Sequence, residues 1–228
     1  MESKTTIYDI AAKLNITAAT VSRALNDNPK ISITTKNLVL ETAREMNYQT
    51  NHLAVALKQG RSNNVGVIVP YINRIFFSSV IRGIEEELYP EGYTIIICQT
   101  HDREDREIEI VKNLLKSQVA GIIISLARFT KVHSHFEEVI RNKVPLIFFD
   151  RKLNSLPTSS VTIDDFKGSY DATQHLINEG KQRIAHLTVD LSVEIYINRL
   201  EGYKAALKES GIKYDKNLVV SLKSGIDE

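Results

Sequence analysis

Residues 6–26, TIYDIAAKLNITAATVSRALN, constrain this chain more tightly than any other stretch. Ile7, Ile10, Ala11 and Leu14 fall at i, i+3, i+4 and i+7, the spacing of one apolar stripe along a helix. Thr6 stands where an N-cap belongs, and Asp9 follows at the spacing of a capping box. Asn15 and Ile16 break the period. Thr17 is a second cap candidate, and Val21, Ala24 and Leu25 mark the buried face of a second helix. The pattern predicts two short helices joined by a tight turn. It leaves Ala18, Ala19, Ser22 and Arg23 on the outer face of the second. Small side chains beside one long cation let a helix lie deep in a DNA major groove, where an arginine pairs with guanine O6 and N7. By pattern alone, an ordinary helical hairpin inside a core fits the same residues.

A Pro-containing loop follows, and Ser32 can cap a third helix over 34–46 with Leu38, Val39, Ala43 and Met46 facing inward. Tyr48 is placed to close this small bundle, which lies near the lower size limit for independent folding. Residues 50–64 change register. Positions 51–58 have helix-forming composition for about two turns, too short to be stable alone in water, and then run into the linker composition QGRSNN. From 65 onward strands alternate with helices. The expected strands are 65–70, 93–98, 119–125, 144–149, 159–164, 183–188 and 217–222. The expected helices are 75–91, 104–117, a helix near 131–142, 166–179 and 194–210. Strands apolar along their whole length are buried on both faces, as in a parallel sheet covered by helices. The fold class is thus an all-α helix-turn-helix head on an α/β body of doubly wound parallel sheets.

Charge adds a little. Residues 1–62 carry eight Lys/Arg against five Asp/Glu, and the remainder carries 21 against 23. A mildly basic head on a slightly acidic body fits nucleic-acid contact by the head. Cys98 is the only cysteine, so no intramolecular disulfide forms. The N-terminus lacks the charged start and apolar segment of a signal peptide, and no apolar run reaches bilayer-spanning length; the expectation is a cytoplasmic protein. His133 and His135 have metal-pair spacing, but lack a third ligand or a nearby cysteine, and read as a solvated helix start. The first strand ends VIVPYINR without a Gly-rich phosphate loop. With no recognisable nucleophile and base pair either, the chain is expected to be no enzyme and to use no cofactor or metal.

The head resembles the LacI/GalR family of bacterial transcription regulators. The resemblance lies in residues 6–26, in the Ile31-Ser32 and Thr35-Lys36 pairs, and in MNYQTNHLAVAL from 46 to 57, in the family's order and spacing. The body matches through VGVIVPYINRIFFSSVIRGIE, VAGIIIS, VPLIFFDR and the NRLEGY of 198–203. The resemblance implies a helix-turn-helix domain over 1–49, a hinge helix and linker over 50–64, and an effector-binding body akin to periplasmic binding proteins. That body would have a first lobe over 65–160 and the start of a second over 161–228. It further implies that Thr17, Ala18, Ala19 and Arg23 sit at recognition-helix positions, with Arg23 reading bases and the alanines offering only apolar contact to thymine methyls. Thr6, Tyr8, Thr20, Ser22, Asn26, Ser32 and Thr35 would contact or orient phosphates; for the Ser and Thr positions, helix capping is an equal reading. Asn51, Ala54 and Leu57 would belong to the hinge's DNA contact, with Leu57 wedging a base step at the operator centre. Such a wedge trades unstacking energy for bent DNA that meets more protein surface.

In the body, the resemblance implies a small effector, a sugar or derivative, between the two lobes at the strand carboxyl ends. Phe76, Phe77, Asp150 and Arg199 are the candidate contacts, the first two through their rings, Asp150 as an acceptor for hydroxyls and Arg199 as a bidentate donor. Core packing is the competing reading for the phenylalanines, loop capping for Asp150, and an exposed helix position for Arg199. The implied partners are palindromic double-stranded DNA, the effector and a second copy of the chain in a homodimer or larger assembly. The chain departs from the family in length. Members run roughly another hundred residues, a domain-scale span, so an incomplete second lobe and a fragment of a longer regulator are expected. The alternatives are a small-molecule (sugar) binding protein without regulatory DNA binding and a non-functional truncated regulator.

Overall fold

The computed structural model describes residues 5–48, 62–189, 191 and 193–222. The chain divides into two units, Met1–Val55 and Ala56–Glu228.

The first unit is a three-helix bundle of α1 (Ile7–Leu14), α2 (Ala18–Leu25) and α3 (Ile33–Glu45). The capping box forms: the Thr6 N–H and hydroxyl both donate to Asp9 Oδ2 at 2.7 Å. Asn15, at φ 54, takes the left-handed conformation that ends α1 and opens the turn. The Thr17 hydroxyl accepts from the Thr20 N–H at 3.1 Å to start α2, and Ser32 does the same for Thr35 at 3.1 Å to start α3. Ile10, Ala11, Val21, Ala24, Val39 and Ala43 make the core, and Tyr48 packs against it. Fully burying a side chain such as Ile10 stabilises the bundle by about 1.5–3 kcal/mol. The inward face of α3 differs from expectation. Thr42 is buried and Leu38 is half-exposed, because Val39, Thr42, Ala43 and Met46 hold the i, i+3, i+4, i+7 stripe.

The second unit opens with β1 (Asn64–Val69), α4 (Ile75–Leu88), β2 (Thr94–Gln99), α5 (Glu104–Lys116), β3 (Gly121–Ile124), α6 (Ser134–Arg141), β4 (Leu146–Phe149) and β5 (Ser159–Val161). These five strands form one parallel sheet in the order β2-β1-β3-β4-β5. Successive residues face opposite layers. Ile68, Ile122, Ile124 and Phe148 pack with Val111 and Leu114 of α5 and with Phe136 and Val139 of α6. On the other face, Val67, Val69 and Phe149 pack with Phe77 and its neighbours on α4. Burial on both faces holds for β1, β3 and β4 only. β2 and β5 are edge strands, and Ile97 and Val161 stay exposed despite their apolar character.

The rest of the unit is α7 (Asp165–Asn178), β6 (His186–Thr188), α8 (Glu194–Glu209), a 3₁₀ turn (Lys216–Leu218) and β7 (Val219–Ser221). β6 and β7 are shorter than the apolar runs suggest and pair in parallel only with each other among the described residues. Helices α7 and α8 pack closely. A Cβ on Gly202 would lie 2.2 Å from the Phe166 carbonyl oxygen, so only glycine fits there. The next residue, Tyr203, is buried and donates its hydroxyl hydrogen to the Ile184 carbonyl at 2.8 Å. Arg199, one turn earlier, pairs with Asp165 at the start of α7 at 2.7 Å. The Arg-x-x-Gly-Tyr pattern is therefore the seam that joins α7, α8 and β6.

Candidate functional site

Two surfaces carry chemistry, one in each unit. In the helical unit, the outer face of α2 presents Ala19 and Arg23 with Ser22 half-buried beside them and Thr17 at the N-cap, whereas Ala18, expected outward, packs against the bundle core. Arg23 and Ala19 are exposed. Lys13 and Lys36 are ion-paired with Glu45 and Asp27 at 2.8 and 2.6 Å. Arg23 has no ion pair or side-chain hydrogen bond among the described residues, so its guanidinium is available to an outside acceptor. Tyr8 is 71% exposed on α1. The hydroxyls of Thr6, Thr17, Thr20, Ser32 and Thr35 are held in the capping bonds, with Thr17 and Thr20 at 2.9 Å and Ser32 and Thr35 at 2.8 Å. Asn26 donates to the Ser22 carbonyl at 2.7 Å. Asn51, Ala54 and Leu57 lie outside the described residues.

In the α/β unit, a cleft of about 280 Å³ opens at the carboxyl ends of β3 and β4, against the starts of α7 and α8. Its floor holds Asp150, whose backbone at φ 57 sits in the left-handed region, an uncommon conformation that aspartate tolerates better than most residues. Burial pushes the Asp150 carboxyl above the ordinary carboxylate range, against the opposing pull of Arg151 and a hydrogen bond from Ser125. Arg128, Thr130, Arg151 and Lys152 line the first-sheet side, and Asp164, Asp165, Glu194 and Asn198 the other. Asn154 bridges to Glu194 at 2.9 and 3.0 Å, tying the two sides together.

The first-sheet wall is held by three carboxylates around the start of α5. Asp102, also in the left-handed region at φ 56, accepts from the Arg128 N–H at 3.0 Å and from the Arg151 guanidinium at 2.5 Å. Glu104 accepts from the N–H groups of Lys131 and Val132 at 2.5 and 2.6 Å. Glu107 is fully buried and accepts from the Ala127 N–H at 2.7 Å and the Thr130 hydroxyl at 2.8 Å. His135 Nε2 lies 3.2 Å from the same carboxylate. His135 is thus a buried partner of Glu107 and not part of a solvated helix start. Among the described residues, no group of three His, Cys, Asp or Glu is placed to hold a metal ion.

Of the four residues expected at the effector, Asp150 lines the cleft. Arg199 stands beside it through its pair with Asp165, which does line it. Phe77 is buried against Val67, Val69 and Phe149, so its ring is core, and neither Phe76 nor Phe77 is among the lining residues. Arg128, Asp102 and Glu107 did not stand out in the sequence. Glu107 did leave a trace: with Val111 and Leu114 it falls on the buried stripe of α5, an acid where the pattern asks for an apolar residue.

Comparison with known proteins places both units. The profile of "Bacterial regulatory proteins, lacI family" matches residues 6–51, and that of "Periplasmic binding proteins and sugar binding domain of LacI family" matches residues 62–226. Catabolite control protein A of Priestia megaterium is 35% identical over 216 residues, covering 94% of this chain and 64% of that protein. The ribose operon repressor of Halalkalibacterium halodurans is 31% identical over 225 residues, 98% of this chain and 65% of that protein. A lac repressor dimer bound to operator and an anti-inducer shares the fold with a TM-score of 0.78 at 23% identity, over 97% of this chain and 65% of its own. The chain spans about two thirds of the length of these relatives.

Proposed function

The chain belongs to the LacI family of bacterial regulatory proteins, and on that footing we propose that it is a sequence-specific DNA-binding transcriptional regulator, a repressor of carbohydrate-use genes controlled by a small effector in the cleft. The observation that carries the reading is the outer face of α2. It combines an exposed alanine, Ala19, with one arginine that has no partner among the described residues, on a helix fixed by its cap and a tight turn. Arg23 reads a guanine, and Ala18 and Ala19 admit thymine methyls. Thr6, Tyr8, Thr17, Thr20, Ser22, Asn26, Ser32 and Thr35 line the backbone side of the interface, and Asn51, Ala54 and Leu57 engage the operator centre. Two copies read two half-sites of a palindrome, and linkage makes each helical unit more effective than one alone.

Asp150 and the Asp165-Arg199 pair anchor the effector, while Phe77 supports the sheet and neither phenylalanine lines the cleft. Effector and DNA affinities are then coupled reciprocally. The role is binding, without a catalytic step, and the protein works in the cytoplasm beside the chromosome. No helix of the described residues is long and apolar enough to cross a membrane.

The test is selection of duplexes from a random library by the 228-residue chain at physiological salt. Enriched palindromes are expected. Enrichment of single half-sites means that the helical unit binds without pairing. No enrichment by a chain that circular dichroism shows to be folded overturns the DNA-binding reading and leaves a small-molecule binding protein.

A further inference from the structure

The cleft presents its two kinds of charge differently. Its cations are mostly spent. Arg128 and Arg151 share the one Asp102 carboxylate, their side chains are 15% and 10% exposed, and their Nε atoms are closed off from solvent. Lys152 is the remaining cation of the lining. The acids stay open. Asp150, Asp164, Asp165 and Glu194 all line the cleft. Asp164 Oδ1 accepts from the Lys167 N–H at 2.8 Å, and both oxygens of Glu194 accept from Asn154. Asp150 Oδ2 accepts from the Ser125 hydroxyl at 3.2 Å, and Asp165 Oδ1 from Arg199 Nε at 2.7 Å. The second oxygens, Asp150 Oδ1 and Asp165 Oδ2, have no hydrogen-bond partner among the described residues, yet both keep contact with open space. Asp165 is the sharper case. Its side chain is only 7% exposed, and it lines the cleft, so an unpartnered oxygen on a buried carboxylate is left for whatever the cleft takes.

An ionised carboxylate only accepts, at about four lone-pair sites, so one bond leaves most of its capacity unused. The open valences in this cleft are therefore acceptors on anions, and a ligand that completes it brings donors. Hydroxyls supply donors but leave the charge uncompensated. Burial, and to a smaller degree the charge of Asp165, push the Asp150 carboxyl upward against the opposing pull of Arg151 and Ser125. Arg199 offsets Asp165 through Oδ1 alone. A cation beside the two free oxygens offsets both charges, in a partly closed site where the attraction is screened less than in bulk water. An ammonium group carries three donors and no acceptor, which matches a wall of unpaired acceptors. The volume, about 280 Å³, suits a monosaccharide-sized molecule.

We propose that the cleft takes a small polyhydroxylated molecule bearing a protonated amine, in its simplest form an amino sugar, and that the free oxygens of Asp150 and Asp165 receive the ammonium group. The proposal rests on the reading of the cleft as the effector site and names the effector's class. Asp165 also holds Arg199, which makes it a poorer target for mutation than Asp150.

The experiment is calorimetric titration of the 228-residue chain and of Asp150→Asn with matched probes: glucosamine against glucose, galactosamine against galactose, and N-acetylglucosamine, whose amine is capped. At pH ~7 the free amines are mostly protonated, and at pH ~9.5 they are neutral. Asparagine keeps an acceptor oxygen and tolerates the left-handed backbone of position 150, and an unchanged melting curve verifies the fold. The expected result at neutral pH is roughly tenfold or more tighter binding of an amine than of its neutral parent, with N-acetylglucosamine on the neutral side. That ratio should fall roughly fivefold in Asp150→Asn, and in the unmutated chain it should vanish once the amine is deprotonated, a measurement that needs no variant. Equal or tighter binding of a neutral parent overturns the proposal. So does a preference that outlasts deprotonation of the amine, or one that a folded Asp150→Asn leaves untouched. Silence from every amine also overturns it. In that case a neutral sugar that binds leaves the effector reading standing, and binding by neither kind counts against that reading too.

Discussion

The helical unit and the cleft both use polar side chains to hold backbone N–H groups, over very different distances along the chain. In the helical unit Asp9 serves Thr6, Thr17 serves Thr20 and Ser32 serves Thr35, each three residues apart. At the cleft Glu107 reaches 20 residues to Ala127, Asp102 reaches 26 to Arg128, and Asp102 and Arg151 join across 49. A local cap forms with its own helix. A long-range clamp forms only once β1, β2 and β3 have brought α5 beside the segment after β3. Capping residues thus stabilise elements, whereas the clamp sets how elements stand to one another and so gives the cleft its shape. In the helical unit Arg23 stays outside this bonding while the Thr and Ser hydroxyls of the caps lie within it, and the cleft builds its lining into it.

The contrast breaks most sharply at Glu107. Glu107→Ala leaves the Ala127 N–H and the Thr130 hydroxyl without their shared buried acceptor and strips His135 Nε2 of its carboxylate neighbour. Loss of one member of a buried polar pair destabilises by about 3–5 kcal/mol. Urea unfolding of the α/β unit should register that loss, with the helical unit's transition unmoved. An unchanged midpoint would mean that the clamp is ornamental and the comparison wrong. Gly202→Ala comes next. Its new Cβ meets the Phe166 carbonyl and the Tyr170 amide nitrogen, which are backbone and cannot swing aside. Overpacking of this kind is unfavourable by about 1–3 kcal/mol, and thermal melting of the purified variant measures it.

Arg23→Ala sharpens the other side. Arg23 is exposed and outside every cap, so its removal should leave melting of the helical unit unchanged. Operator affinity, measured by fluorescence anisotropy on a selected duplex, should fall by about 1–3 kcal/mol, the worth of a bidentate arginine–guanine contact. A fall in stability with no change in affinity would assign Arg23 to the bundle and take the base reader away from α2.

The same difference in reach governs what was legible in the sequence. The apolar spacing from Ile7 to Leu14, the caps at Thr6, Thr17 and Ser32, and the strand and helix alternation after residue 64 are local patterns and read directly. Leu38 misled because a strong apolar residue beside Val39 outranks Thr42 on composition, while helix geometry puts Thr42 inward. Phe76 and Phe77 look like ligand contacts at the end of a strand, yet Phe77 is needed to cover Val67 and Val69. Asp102, Glu107 and Arg128 form one constellation only after three strands are laid side by side. No spacing rule links positions 20 or more apart before the sheet order is known. β5, β6 and β7 each use only three of the six residues expected, β5 as an edge strand and β6 and β7 pairing only with each other among the described residues.

The smallest expected effect tests the local half of the comparison through pH. The hydrogen bonds from the Thr6 hydroxyl and then the Thr6 N–H hold the Asp9 carboxyl below the ordinary aspartate range. A carboxyl depressed in the folded state adds stability that is fully present above its unfolded value, about 3.9, and is lost as pH falls through the lower folded value. Asp9→Asn should therefore melt below the parent chain at pH 6, and the gap should close on acidification below pH ~4. The group is fully solvent-exposed, so the gap should also stay small and narrow in high salt. Monitoring the helical signal of Met1–Val55 against pH in both chains makes the measurement. A gap that persists in acid would mean that the Thr6 bonds do not depend on the charge of Asp9. The cap would then act through shape alone, closer in kind to the Thr17 and Ser32 caps, which carry no charge.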